Sequence, residues 1–171
     1  MHRDAIVRQR LAVCNANAGG NAMSVDSGYD VPRRRNDGLC YILCIAVPKG
    51  LTGLQRSFGG EVSLDPLSDE PLASATIGDH PERDAYALTI NGCSCDLLAG
   101  GHRMEGKPEL AIRGLVKLLN DTPEAVVLNH WFTQPIADVA VTCKSEKAIT
   151  MVKFKKIYPQ LDEDVRYIIK K

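Results

Sequence analysis

The sequence has no excess of charge of either sign. Its 171 residues carry 21 Lys and Arg against 21 Asp and Glu, so the formal net charge is zero. Proteins that bind nucleic acid by neutralising phosphates normally carry an excess of Lys and Arg, so nucleic acid is an unlikely partner. Hydrophobic residues make up 44% and charged residues 25%. This composition excludes disorder of the whole chain, which requires low hydrophobicity together with high net charge.

Long hydrophobic runs are also missing. The longest nearly apolar stretch, residues 39–47, is about half of the roughly 18 residues that a membrane-spanning helix needs. No apolar segment of signal-peptide length opens the chain. We therefore expect no membrane partner and a cytoplasmic location. The alternative is a mitochondrial transit peptide, which three arginines in the first ten residues favour and Asp4 opposes.

Motifs that identify common enzymes are absent. The sequence contains no glycine-rich dinucleotide fingerprint, no phosphate-binding P-loop, no Gly-x-Ser-x-Gly elbow and no His-Glu-x-x-His. No complete catalytic set can be assembled from what remains. The favoured function is therefore a non-enzymatic module that binds an unknown protein or small molecule, with no cofactor.

Two regions of different composition divide the chain. Residues 1–38 lack an apolar period and are rich in Gly, Asn, Ser and Arg, so they are expected to form a disordered tail. Residues 39–171 are expected to form one domain.

Hydrophobic periodicity predicts the elements of that domain. The predicted strands are 39–47, 84–90, 125–132, 136–143 and 164–171. The predicted helices are 51–58, 108–119 and most of 145–158, although the last segment also suits a strand around Ile149. Between the first two strands, residues 61–84 are predicted to be loop with extended pieces at 61–64 and 73–77. Helices and strands alternate too irregularly for a doubly wound sheet, so the expected class is α+β, with helices packed on a mixed or antiparallel sheet.

Six cysteines are present, and we expect several of them to be reduced: Cys14, Cys40, Cys44, Cys93, Cys95 and Cys143. The chain is long enough to fold without disulfides, and it has no recognisable secretory signal. Two of the thiols, Cys40 and Cys44, lie in one predicted strand with their Cα atoms roughly 13 Å apart, too far for a bridge.

The turn Asn91-Gly92-Cys93-Ser94-Cys95-Asp96 is the most unusual local feature. It leaves a predicted strand and enters a short helical segment, where exposed N–H groups lower a thiol's pKa. The alternative function is therefore a thiol-dependent enzyme or redox protein that uses Cys93 or Cys95 with His130 as its base. Buried, structural thiols are the simpler interpretation of the same pattern.

A further alternative is a small zinc site. Cys93, Cys95 and His102 are suitable Zn²⁺ ligands, and Cys143 or His130 would have to supply the fourth. The paired C-x-x-C spacing of structural zinc sites is missing, which opposes this interpretation.

The carboxyl-terminal part is mildly basic. Lys153, Lys155 and Lys156 lie beside Phe154 and Tyr158, a combination of lysines and aromatics that occurs in nucleic-acid sites. A solvated helix face explains these lysines more simply.

Overall fold

Six strands form one mixed sheet in the computed structural model, which describes residues 40–67, 71–98, 107–132 and 141–171. The strands are β1 (Cys40–Pro48), β2 (Ser63–Leu67), β3 (Arg83–Thr89), β4 (Glu124–Phe132), β5 (Ser145–Thr150) and β6 (Val165–Lys170). Their order across the sheet is β2-β3-β1-β4-β6-β5. Every neighbouring pair is antiparallel except β5 and β6, which are parallel.

Four helices pack on this sheet, so the predicted α+β class with a mixed sheet is confirmed. They are α1 (Leu54–Phe58), α2 (Pro71–Ile77), α3 (Pro108–Asp121) and α4 (Met151–Ile157). Helix α3 is the longest and begins at Pro108, whose fixed φ suits the first helical position. It ends before Thr122, which is extended because Pro123 follows it.

The sheet is covered on both faces. Helices α1, α3 and α4 cover one face, here the three-helix face, and α2 covers the other, the α2 face. Strand β1 lies between β3 and β4, and its alternate side chains enter both apolar clusters. Leu43 and Ile45 point to the three-helix face, whereas Ile42 and Cys44 point to the α2 face. This explains why β1 is apolar at consecutive positions.

Seven residues are predicted from the sequence to share one core: Ile42, Leu43, Ile45, Leu115, Leu118, Val127 and Leu128. All seven are at most 1% exposed. They do not form one cluster, however, because Ile42 and Leu128 lie on the α2 face and the other five on the three-helix face.

The predicted helix over most of 145–158 is wrong for its first six residues, which form β5. Parallel pairing with β6 outweighs local helix preference, and the helix begins only after Thr150. Thr150 Oγ1 accepts the N–H of Lys153 at 3.3 Å as an N-cap.

The predicted extended piece at 73–77 is also wrong, because these residues belong to α2. Leu72, Ala73 and Thr76 share one helical side and are buried there, so a short helix satisfies the same apolar residues. The predicted strand 136–143 lies mostly outside the described residues, and its described part, 141–143, is irregular. The predicted tail, 1–38, lies outside the described residues altogether.

Arg166 of β6 joins α2 to the sheet. Its Nη1 donates to the Ala75 carbonyl at 3.2 Å, and its Nε donates to Glu146 at 2.7 Å. Gly78 follows α2 with φ +62°, and a Cβ there would lie 1.8 Å from Arg166 Nη1. The end of α2 therefore favours glycine for its left-handed backbone conformation, and a larger residue would also displace the Arg166 side chain.

In the described part of the chain, no helix combines the length and the apolar character needed to cross a bilayer.

Candidate functional site

One end of the sheet collects the side chains that the sequence singles out. Strands β3 and β4 end there, and β1 and β6 begin there. The turn after β3 carries Cys93 and Cys95, His130 lies near the end of β4, and Asp164 directly precedes β6. Residues far apart in the chain thus approach one another at this end of the sheet.

The turn after β3 has the backbone geometry of a tight hairpin. Asn91 and Gly92 have φ angles of +52° and +82°, the conformation that an Asn-Gly dipeptide adopts most easily. Ile90 and Cys93 exchange both backbone hydrogen bonds, at 2.8 and 3.0 Å. The buried Ser94 hydroxyl then donates to the Leu88 carbonyl at 2.5 Å and holds the turn against β3.

Both sulfur atoms of the turn accept backbone N–H groups. Tyr41 N–H donates to Cys95 Sγ at 3.4 Å, just beyond the point where the pairing of β1 with β3 ends. Cys95 N–H donates to Cys93 Sγ at 3.3 Å. Cys95 is 2% exposed, whereas Cys93 is partly exposed. Cys93 is therefore the accessible thiol of the pair.

His130 lies on the α2 face, directly opposite Ile42 of β1. Its Nδ1 is 2.5 Å from Asp164 Oδ1, and both residues are buried. Its Nε2 is buried and has no hydrogen-bond partner among the described residues. The imidazole is therefore held at only one of its two nitrogen atoms.

Asp164 is fixed in an uncommon backbone conformation. Its φ is +59°, in the left-handed region that Asp tolerates better than most residues. Its N–H donates to the Asn129 carbonyl, and its own carbonyl accepts the N–H of Lys144, each at 2.8 Å. These two bonds aim the carboxylate at His130.

Two more charges complete the group. Lys144 Nζ lies 3.0 Å from Asp164 Oδ2 and 4.0 Å from Glu163 Oε2. Burial opposes ionisation of Asp164, but the hydrogen bonds from His130 and Lys144 outweigh it and hold the pKa of Asp164 below its ordinary value. The hydrogen bond to Asp164 in turn raises the pKa of Lys144. The carboxylate and the ammonium group are therefore charged near neutral pH.

One group of three metal-ligating side chains is present in the described ranges. The candidate ligand atoms of His130, Glu163 and Asp164 all lie within 4.8 Å of one another. An imidazole with two carboxylates is a ligand set typical of divalent transition metals, whereas Mg²⁺ and Ca²⁺ prefer oxygen alone.

The structure places the sequence candidates differently. Neither Cys93 nor Cys95 belongs to the ligand group of His130, so their joint catalytic role stays a prediction. His102 lies outside the described residues. The Cys143 thiol donates to the Ser145 carbonyl at 3.2 Å.

Sequence reasoning missed Glu163 and Asp164. The acidic run 162–164 before the last strand was the available signal. Only the pairing of β4 with β6 shows that this run meets His130.

Comparison of the chain with protein-family profiles, with curated proteins and with solved structures found no match.

Proposed function

We propose that this chain is a binding module whose ligand is a divalent transition-metal ion, held by His130, Glu163 and Asp164. The observation that carries the proposal is the convergence of these three ligand atoms within 4.8 Å at the end of the sheet. Two carboxylates supply negative charge, and the imidazole favours ions such as Zn²⁺ or Co²⁺.

Lys144 is the internal counter-ion of this site. Its ammonium group lies against both carboxylates, where it competes with any added cation. Its side chain is 61% exposed, so it can leave toward solvent when a metal ion arrives.

Replacement of single charged residues should strengthen metal binding at one position and weaken it at another. Lys144→Met removes the competing cation and should tighten Co²⁺ binding by roughly tenfold, measured by calorimetry. Glu163→Gln removes one ligand and should weaken binding by roughly tenfold or more. Lys147→Met is the matched control, because Lys147 is a similarly exposed lysine that pairs with Asp162 outside the ligand group. Equal affinities for the three variants and the parent chain would contradict the proposal.

The absorption spectrum of bound Co²⁺ separates this site from a thiolate site. Nitrogen and oxygen ligands give weak d–d bands, whereas thiolate ligands add an intense charge-transfer band in the near ultraviolet. We expect only the weak bands. A charge-transfer band that Cys93→Ser abolishes would favour the alternative zinc site at Cys93, Cys95 and His102.

A second candidate function is thiol chemistry at Cys93, with the protein acting as a thiol-dependent enzyme or redox protein. The specific observation is the N–H of Cys95 donating to the Cys93 sulfur, a contact that stabilises a thiolate. Timed labelling with a thiol reagent at falling pH tests it. Continued reaction of Cys93 below neutral pH supports this function, with the equally part-exposed thiol of Cys143 as the reference.

We also propose a cytoplasmic location. The buried position of Cys44 and Cys95 in the apolar cluster of the α2 face supports it, since buried thiols are common in reducing compartments. Fractionation of cells that express the tagged chain tests this location.

A further inference from the structure

The outer edge of the sheet at β5 has no strand beside it among the described residues. β5 is the last strand in the sheet order, and five of its six residues are exposed. Proteins usually protect such edges with proline, bulges or covering segments. β5 contains no proline, and its two charged side chains are engaged elsewhere. Glu146 pairs with Arg166 of β6, and Lys147 pairs with Asp162, which precedes β6.

A basic groove lies beside β5 on the three-helix face of the sheet. It has a volume of about 630 Å³ and lies between β5 and α4. Lys147, Lys153 and Lys156 line it, and Asp162 is the one carboxylate in its lining. Asp162 already pairs with Lys147 at 2.7 Å. Lys153 and Lys156 are exposed and form no ion pair with any residue that the structure describes. The groove therefore presents two uncompensated positive charges.

One aromatic residue, Tyr167, lines the groove, but it is only 1% exposed and Lys147 lies over its ring, so it offers no open surface for stacking. Phe154 and Tyr158 are fully buried, and their rings contact each other edge to face. Single-stranded nucleic acid gains much of its binding free energy by stacking bases on exposed aromatics. An open strand edge offers backbone pairing instead, which an extended peptide can use.

Because the outer edge of β5 has no neighbouring strand among the described residues and the groove beside it is positively charged, we propose that β5 and α4 bind an acidic, extended peptide of a partner protein. The peptide adds as a strand to the open edge of β5. Its alternate acidic side chains, which repeat about every 6.6 Å along one face of a strand, lie against Lys153 and Lys156. Val152, in the first turn of α4, is 68% exposed and offers the peptide one hydrophobic contact.

A labelled peptide of alternating glutamate and valine, as long as β5, tests the charge requirement by fluorescence anisotropy with the full chain. The double variant Lys153→Glu/Lys156→Glu should weaken binding by roughly tenfold or more. Lys155→Glu is the matched control, since Lys155 is exposed on the same helix but does not line the groove. Equal loss in both variants would overturn the proposal, because it would show attraction to net charge alone.

N-methylation of alternate peptide residues tests strand addition itself. An added strand pairs with β5 through the N–H groups of every second residue. N-methylation of that set of residues should therefore abolish binding, whereas N-methylation of the other, alternate set should be tolerated. Equal binding by both methylated peptides would contradict backbone pairing. Tighter binding of single-stranded RNA of similar charge than of the peptide would also overturn the proposal. None of these results depends on a metal ion.

Discussion

The two faces of the sheet are buried by different means. The three-helix face is covered by α1, α3 and α4 and contains a large, almost entirely apolar cluster. The α2 face is covered by a helix of seven residues and carries buried polar groups, among them Asp65, Arg83 and His130. Apolar packing is non-directional, whereas each buried polar group needs a particular partner.

This difference assigns separate roles to the two faces. Changes on the three-helix face should alter the free energy of unfolding and leave ligand binding intact. Changes on the α2 face disturb specific hydrogen bonds, including those that place His130.

The largest effect is expected from Leu115→Ala in α3. Leu115 is fully buried in the three-helix cluster, and such truncations cost about 2–5 kcal/mol of unfolding free energy. Urea denaturation measures the loss, and the exposed Lys117→Ala on the same helix is the control. A loss below about 0.5 kcal/mol would place Leu115 outside the core.

On the α2 face, Thr89→Val removes one hydrogen bond with little change in shape. Thr89 is fully buried, and its hydroxyl donates to Asp65 Oδ2 at 2.8 Å. The variant leaves a buried carboxylate without this donor, so we expect a loss of about 1.5–3 kcal/mol. The exposed Thr142→Val is the control for the same chemical change. An unaltered denaturation midpoint for Thr89→Val would show that the α2 face does not depend on this pairing.

Gly114→Ala tests how closely α1 and α3 approach on the three-helix face. Alanine favours a helix over glycine by about 1 kcal/mol. A Cβ at Gly114 would however lie 2.2 Å from the ring of Phe58, which is itself buried. Overpacking costs about 1–3 kcal/mol, so we expect net destabilisation of about 1 kcal/mol. A gain in thermal stability would show that the Phe58 ring moves aside freely.

The smallest expected effect at neutral pH is that of Tyr158→Phe. The Tyr158 hydroxyl donates to the Leu97 carbonyl at 2.7 Å, and its loss should cost about 0.5–1.5 kcal/mol.

The same residue links stability to alkaline pH. Burial raises the pKa of Tyr158 above its ordinary value of about 10. Its contribution is therefore fully present below pH 10 and is lost as pH rises further, because only the unfolded chain releases this proton. Tyr158→Phe should make the fall in stability above pH 10 less steep in denaturation at several pH values. An identical slope would indicate that the hydroxyl is accessible.

Elements with a strong periodic pattern could be predicted from the sequence. The doubly apolar β1 and the amphipathic α3 have local signals that agree with their tertiary positions. β5 could not be assigned, because its exposed residues acquire strand geometry only by pairing with β6. Helix α2 could not be predicted for a similar reason. Its side chains are mostly small and show little periodicity in the sequence, and only packing against the sheet defines its buried side.

In the candidate site, too, local patterns could be predicted from the sequence, whereas contacts between distant residues could not. His130 could be placed on a face by alternation along β4, with Leu128 beside it and Trp131 pointing the other way. Asp164 could not be connected to it, because 34 residues separate the two and only the sheet order brings them together.

The most direct test of the proposed metal site observes His130 itself. Nitrogen-detected NMR of the imidazole side chains, assigned with His130→Gln, reports both ring nitrogens during titration with Co²⁺. His80, which pairs with Glu82 in an exposed loop, is the internal reference. We expect large paramagnetic shifts or loss of the His130 signals at low Co²⁺ while the His80 signals persist. Unchanged His130 signals at saturating Co²⁺ would contradict it.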